Sequence, residues 1–177
     1  MPLLYLLHCF MPNAILLATL DQLMQHWQSR SLLPTTRPVN DVEVMARQQG
    51  VTLPADFLAL YQRSNGMAFT YPNGVESEEF YFLPVEDLRS KQEDLLVYSG
   101  RGAKQITTTV TVFVDYMHRS WEYGFITAES GPGYEIGIMA IGGEFKVITN
   151  SLATFLSLYL EDAMVLYDYR NPYISDL

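Results

Sequence analysis

The 177-residue chain contains a single cysteine, Cys9, so an internal disulfide framework is excluded. One lone thiol fits a reducing compartment. Bases are scarce too: 11 Lys and Arg stand against 20 Asp and Glu, a formal net charge of −9. Nucleic acid is bound by cations that displace its counterions, so this balance argues against a nucleic-acid partner. It argues against anionic membrane surfaces for the same reason. A basic protein, by contrast, would be drawn in and oriented by the field.

Long apolar runs are also missing. The opening "MPLLYLLHCFMPN" is broken at Pro12-Asn13, and the part before the break is too short to span a bilayer. A secretory signal would begin with positive charge, yet Arg30 is the first base in the chain. The cytosol is therefore the expected compartment, with residues 1–12 an apolar segment of unassigned role. No internal repeat or low-complexity tract is visible. Apolar residues at 49% and charged ones at 18% suit a folded protein with one sizeable core. The expected domain runs over residues 13–166, followed by a Tyr-rich tail, 167–177.

Reactive groups are sparse. His8, His26 and His118 are isolated, and no His–His, His–Glu or Cys–Cys pair has ligand spacing, so no metal site is assigned. Cys9 lies in an apolar run, where an unreactive buried thiol is the default. "ESGPG" lacks the Gly-x-Ser-x-Gly of a nucleophile elbow. "SGRGAK" lacks the spacing of a phosphate loop. Carboxylates are the plentiful group. Between Ser64 and Leu88 lie Glu76, Glu78, Glu79, Glu86 and Asp87 with no base; between Gln105 and Phe145 lie Asp115, Glu122, Glu129, Glu135 and Glu144 against Arg119 alone. Three readings stay open for them: solvated strand edges, an acidic face for a basic partner, and a hidden catalytic pair whose separation sequence does not reveal. No catalytic residue and no cofactor is assigned.

Periodicity supplies the elements. Asn13 is a candidate N-cap, followed by Leu16, Leu20, Leu23, Met24 and Trp27 at helical spacing. Pro34 and Pro38 mark a loop. A second helix is expected from Asp41 to Gln49, with Asn40 and Glu43 at cap-and-N3 spacing and Gly50 as terminator. "VTLPADFLALYQRSNG" predicts a third helix. Pro54 suits its first position, Asp56 complements its dipole, and Phe57, Leu60 and Tyr61 share a face. Asn65 and Gly66 would end it, since both tolerate positive φ. "FYFLP" and "ITTTVTVFV" read as strands, the latter placing Ile106, Val110, Val112 and Val114 on one face. "WEYGFIT" and "YEIGIMAI" flank a turn at Gly131-Pro132-Gly133, and Gly142-Gly143 leads into "EFKVI". A closing helix is predicted from Leu152. The order gives an α+β fold: one antiparallel-rich sheet covered on one face by helices.

Four stretches in this order resemble the SUKH superfamily, the Smi/Knr-like fold of fungal cell-wall regulators and bacterial immunity proteins. They are "LPADFLALYQRSNGM", "FYFLPVEDL", "TVFVDYMHRSWEYGFI" with "GPGYEIGI", and "ITNSLATFLSLYLED", and the resemblance covers roughly Leu16 to Asp162. Two departures stand out. Met67 follows Asn-Gly where the family often has a small residue, and "DYMHRSW" replaces a Gly-rich loop. The resemblance implies an α+β domain without catalytic activity whose bacterial members bind and block a toxin, frequently a nuclease.

On that basis the chain is expected to be an immunity protein that neutralises a toxin by stoichiometric binding, without cofactor or metal. Glu76, Glu78, Glu79, Asp115, Tyr116 and Trp121 are its expected contacts, because aromatics and paired charges anchor tight interfaces. Pro54, Asn65 and Gly66 are expected to be structural. A regulatory scaffold module with an endogenous protein partner is the alternative, and a small carboxylate-dependent hydrolase a third reading.

Overall fold

The computed structural model describes residues 13–33, 39–68, 79–100, 102–127, 133–140 and 142–168. Helix α1, Ala14–Ser29, starts where Asn13 accepts the Leu16 amide at 2.8 Å and buries Leu16, Leu20, Leu23 and Trp27. Helix α2, Val39–Gln48, begins before the expected cap, so Asn40 lies within its first turn. Glu43 reaches forward to Arg47 at 2.5 Å, an i,i+4 ion pair, instead of back toward Asn40. Gly50 follows at φ +71°. Helix α3, Ala55–Arg63, has Pro54 at its N-cap, one residue outside the expected position; the Pro54 carbonyl accepts the Leu58 amide at 3.0 Å.

The end of α3 differs from the sequence expectation. Ser64 is already extended at φ −152°, so the helix has stopped before Asn65 is reached. Gly66, at φ +73°, turns the chain two residues later. A Cβ there would lie 2.5 Å from the Phe82 carbonyl oxygen, so the position requires glycine for space as well as for φ. The Met67 amide then donates to that same carbonyl at 2.9 Å, and the Tyr61 hydroxyl donates to the Leu83 carbonyl at 3.0 Å.

Six strands follow: β1 Phe80–Phe82, β2 Arg89–Ser99, β3 Gly102–Tyr116, β4 Trp121–Thr127, β5 Tyr134–Ala140 and β6 Glu144–Thr149. A 3-10 turn, Val85–Asp87, separates β1 from β2; helix α4, Leu152–Leu160, and a second 3-10 turn, Met164–Leu166, close the described chain. Ser151 caps α4 by accepting the Thr154 amide. β3 pairs with β1 and β2 along one edge and with β4 along the other. β4 pairs with β5, and β5 with β6, all antiparallel. Leu96–Tyr98 of β2 then pairs in parallel with Glu144–Lys146 of β6. The fold is α+β and its sheet mostly antiparallel, but the last pairing closes β2 through β6 into a ring.

Closure gives the sheet two cores. One face packs under the helices through Phe57, Phe82, Phe113, Tyr123, Ile136, Phe155 and their neighbours. The other wraps a smaller cluster of Leu95, Val97, Val110, Ile126 and Phe145. Gly124 and Gly137 lie opposite each other and make the tight curvature possible. A Cβ on Gly137 would sit 2.4 Å from the Lys146 carbonyl oxygen and 2.6 Å from the Phe145 ring. The expected single face of β3 is also broken. A register shift between Val112 and Val114 lets consecutive Phe113 and Val114 both enter the main core, whereas Ile106 and Val110 belong to the second cluster.

Candidate functional site

Of the expected contacts, Glu79, Asp115, Tyr116 and Trp121 come together where β3 turns into β4; Glu76 and Glu78 lie outside the described residues. Asp115 stands opposite Glu122, and Tyr116 opposite Trp121, at the mouth of a four-residue turn, Met117–Ser120. β1 brings Phe80 opposite Tyr116 and Tyr81 opposite Asp115. Glu79, just before β1, is exposed, and its carbonyl accepts the Met117 amide at 3.1 Å.

The turn is built without glycine. Met117, His118 and Arg119 hold φ of 48°, 52° and 70° in succession, and neighbouring Glu79 holds 63°. Left-handed geometry costs an L-residue about 1–2 kcal/mol, so four such residues in one patch store appreciable strain. Local bonds hold it: the Ser120 amide donates to the Tyr116 carbonyl at 3.0 Å, and the Arg119 amide to the Asp115 carboxylate at 2.7 Å. Asp115 is therefore partly committed to holding the turn. Met117 is left 42% exposed at the tip.

Beneath the tip an aromatic stack anchors it to the core. Tyr116 lies on Trp121 with ring centroids 4.2 Å apart and contacts Phe80 edge-on at 4.9 Å. The Trp121 indole donates to the Tyr123 hydroxyl at 2.9 Å, and Tyr123 donates in turn to the Leu166 carbonyl. Tyr116 is buried and functions as a pedestal; Trp121 is half-buried. Burial pushes the Tyr81 phenol up, and the negative charges of Asp87, Glu86 and Asp115 push it further. Glu122 is paired with Arg89 at 2.8 Å. Sequence reading missed Met117 and Arg119 as tip residues, because "DYMHRSW" contains no Gly, Asn or Pro to mark a tight turn.

Pro54, Asn65 and Gly66 lie apart from this tip: Pro54 opens α3, and Asn65 and Gly66 follow its end on the way to β1. Asn65 accepts the Val85 amide at 2.9 Å and donates to Glu86 at 3.0 Å, tying two of the motif stretches together. Among the described residues no group of His, Cys, Asp and Glu side chains could hold a metal ion, and no helix is long and apolar enough to cross a membrane.

A model of the SMI1 / KNR4 family (SUKH-1) matches residues 39–158. Those residues run from α2 to within α4 and contain the whole ring and the tip. No curated protein matches the chain.

Proposed function

The chain belongs to the SMI1 / KNR4 family (SUKH-1), and from that premise we propose that it is an immunity protein whose β3–β4 tip binds a basic toxin domain. The observation that carries this reading is the preset turn Met117–Arg119, presented beside Glu79, Asp115 and Trp121. A loop already held in its strained form loses little entropy on binding, so its contacts go further toward affinity. Half-buried Trp121 and exposed Met117 offer apolar anchors, and the flanking acids steer a cationic partner. The same chemistry would inhibit a nuclease by occupying the site meant for phosphates. Binding is stoichiometric and needs no reaction at the protein's own groups, so the role proposed is that of an inhibitor and not an enzyme.

The test is co-expression with the toxin encoded beside the gene, followed by stopped-flow association of the purified pair. Protection is expected, with an on-rate that falls as salt screens charges over a Debye length of about 8 Å at physiological ionic strength. Charge reversal of Glu76, Glu78 and Glu79 to Lys should lower the on-rate while the variant stays folded. A folded Trp121→Ala, Met117→Ala variant that protects as well as wild type would remove the tip from the interface. A neighbourhood without any toxin gene, together with co-purification of an endogenous regulator, would favour the scaffold reading.

A further inference from the structure

Among the described residues, the ring of strands leaves one long gap. β2 pairs with β3 from Gly102 to Val112, but β4 pairs with it only from Val110 to Tyr116. Over residues 103–109 the second edge of β3 meets no strand among the described residues. The phase of the ladder tells which backbone groups this concerns. Leu96 donates its amide to Gly143, away from β3, so its neighbours Leu95 and Val97 exchange bonds with Ile106 and Lys104. The alternate residues Ala103, Gln105 and Thr107 therefore aim their amides and carbonyls at the open edge.

Natural sheets blunt such an edge with proline, bulges or several charges. Residues 103–109, "AKQITTT", contain no proline and one charge, Lys104, and the β3 register is unbroken until Val112. Gln105, Thr107 and Thr109 are exposed, and Ile106 is half-buried. From Gly102 to Val114 there is no acid, in a chain of net charge −9. A basic partner is not attracted to such a stretch. What matches it is another edge equally free of acid and equally rich in threonine.

We propose that this edge pairs antiparallel with the same edge of a second copy of the chain. The symmetric register centred on Ile106 sets Gln105 opposite Thr107 of the partner subunit and Lys104 opposite Thr108 of the partner subunit. All outward-facing amides and carbonyls then find partners, Ile106 meets its equivalent on the two-fold axis, and no like charges face each other. The β3–β4 tips lie at the far end of the same strand and remain free.

Sedimentation equilibrium from micromolar to millimolar protein, with amide hydrogen exchange at both extremes, tests the pairing. Wild type is expected to reach twice the monomer mass, with the Gln105 and Thr107 amides becoming protected as it does. The Gln105→Lys, Thr107→Lys variant, checked for folding by circular dichroism, should stay monomeric. Mixing it with Gln105→Glu, Thr107→Glu should restore a one-to-one dimer. A wild type that is monomeric throughout, or a Lys variant that dimerises equally well, overturns the proposal. Protection of these amides only when the toxin is added would assign the edge to that partner and overturn self-pairing as well.

Discussion

Asn65 and Val85, twenty positions apart, are held by one hydrogen bond: the Asn65 side-chain oxygen accepts the buried Val85 amide at 2.9 Å. The same side chain donates to Glu86, so one residue fixes the turn that leads from β1 into β2. Removing it leaves a buried amide without an acceptor. Asn65→Ala should therefore cost about 1–3 kcal/mol, read from the denaturant midpoint. Asn65→Asp keeps the acceptor but sets a carboxylate against Glu86. The pair should hold a proton in the folded state at a raised pKa. That variant should then be more stable in mild acid and lose stability as pH rises. A flat pH profile would show that Glu86 does not face the carboxylate.

Glycines at similar φ should respond differently to alanine. Gly50 at φ +71° has open space around its missing Cβ, whereas the Cβ of Gly66 would press on the backbone of Phe82 and Leu83. Gly50→Ala should cost about 1 kcal/mol, the ordinary left-handed penalty. Gly66→Ala must also move backbone and should cost clearly more. Equal losses in thermal melts would mean that the β1 junction gives way freely.

The Tyr134 hydroxyl donates to Asp56 at 2.6 Å and accepts the Leu152 amide at 3.0 Å, joining the starts of α3 and α4. Tyr134→Phe leaves the Leu152 amide and the Asp56 carboxylate without this partner. A loss of about 1–3 kcal/mol is expected. Gain of stability on this change would show that the hydroxyl is dispensable.

Burial raises the phenols of Tyr61, Tyr123 and Tyr134 above their ordinary value of 10.0. An unfolded chain releases these protons first, so stability is full below about pH 10 and falls as pH climbs toward the raised folded values. The phenolate absorbance of these buried tyrosines should therefore appear as a late step that coincides with loss of circular dichroism. Smooth ionisation of all twelve tyrosines in a folded protein would contradict their burial.

Relief of strain offers a test of the tip. Met117→Gly removes a left-handed penalty and should stabilise the fold by about 1 kcal/mol. It also loosens the turn and removes the exposed Met117 side chain, so under the proposed function partner binding should weaken through the off-rate. A variant both more stable and tighter-binding would refute preorganisation at this turn.

The helices were legible because their signals are local. Asn13 and Ser151 cap as their side chains dictate, and Leu16 to Trp27 follow a 3.6-residue period. β2 carries no such signal: "RSKQED" reads as solvated polypeptide and becomes strand because β3 pairs with all of it. Curvature was equally hidden, since Gly124 and Gly137 look like weak spots in strands until their partners are known. For the tip, residue types marked Asp115 and Trp121, but nothing in "DYMHRSW" announces three left-handed residues in a row.

Joining Leu96 to Glu144 imposes an order of events on the growing chain. β2 to β5 can assemble as a meander while the rest is still being synthesised, but the ring waits for β6 to emerge. Until then Leu95 and Val97 stand uncovered on a free edge, and the late arrival of Phe145 seals them. A ribosome stalled before Glu144 would thus hold a sheet primed to aggregate, and the last fifth or so of the chain acts as the latch that makes the rest safe.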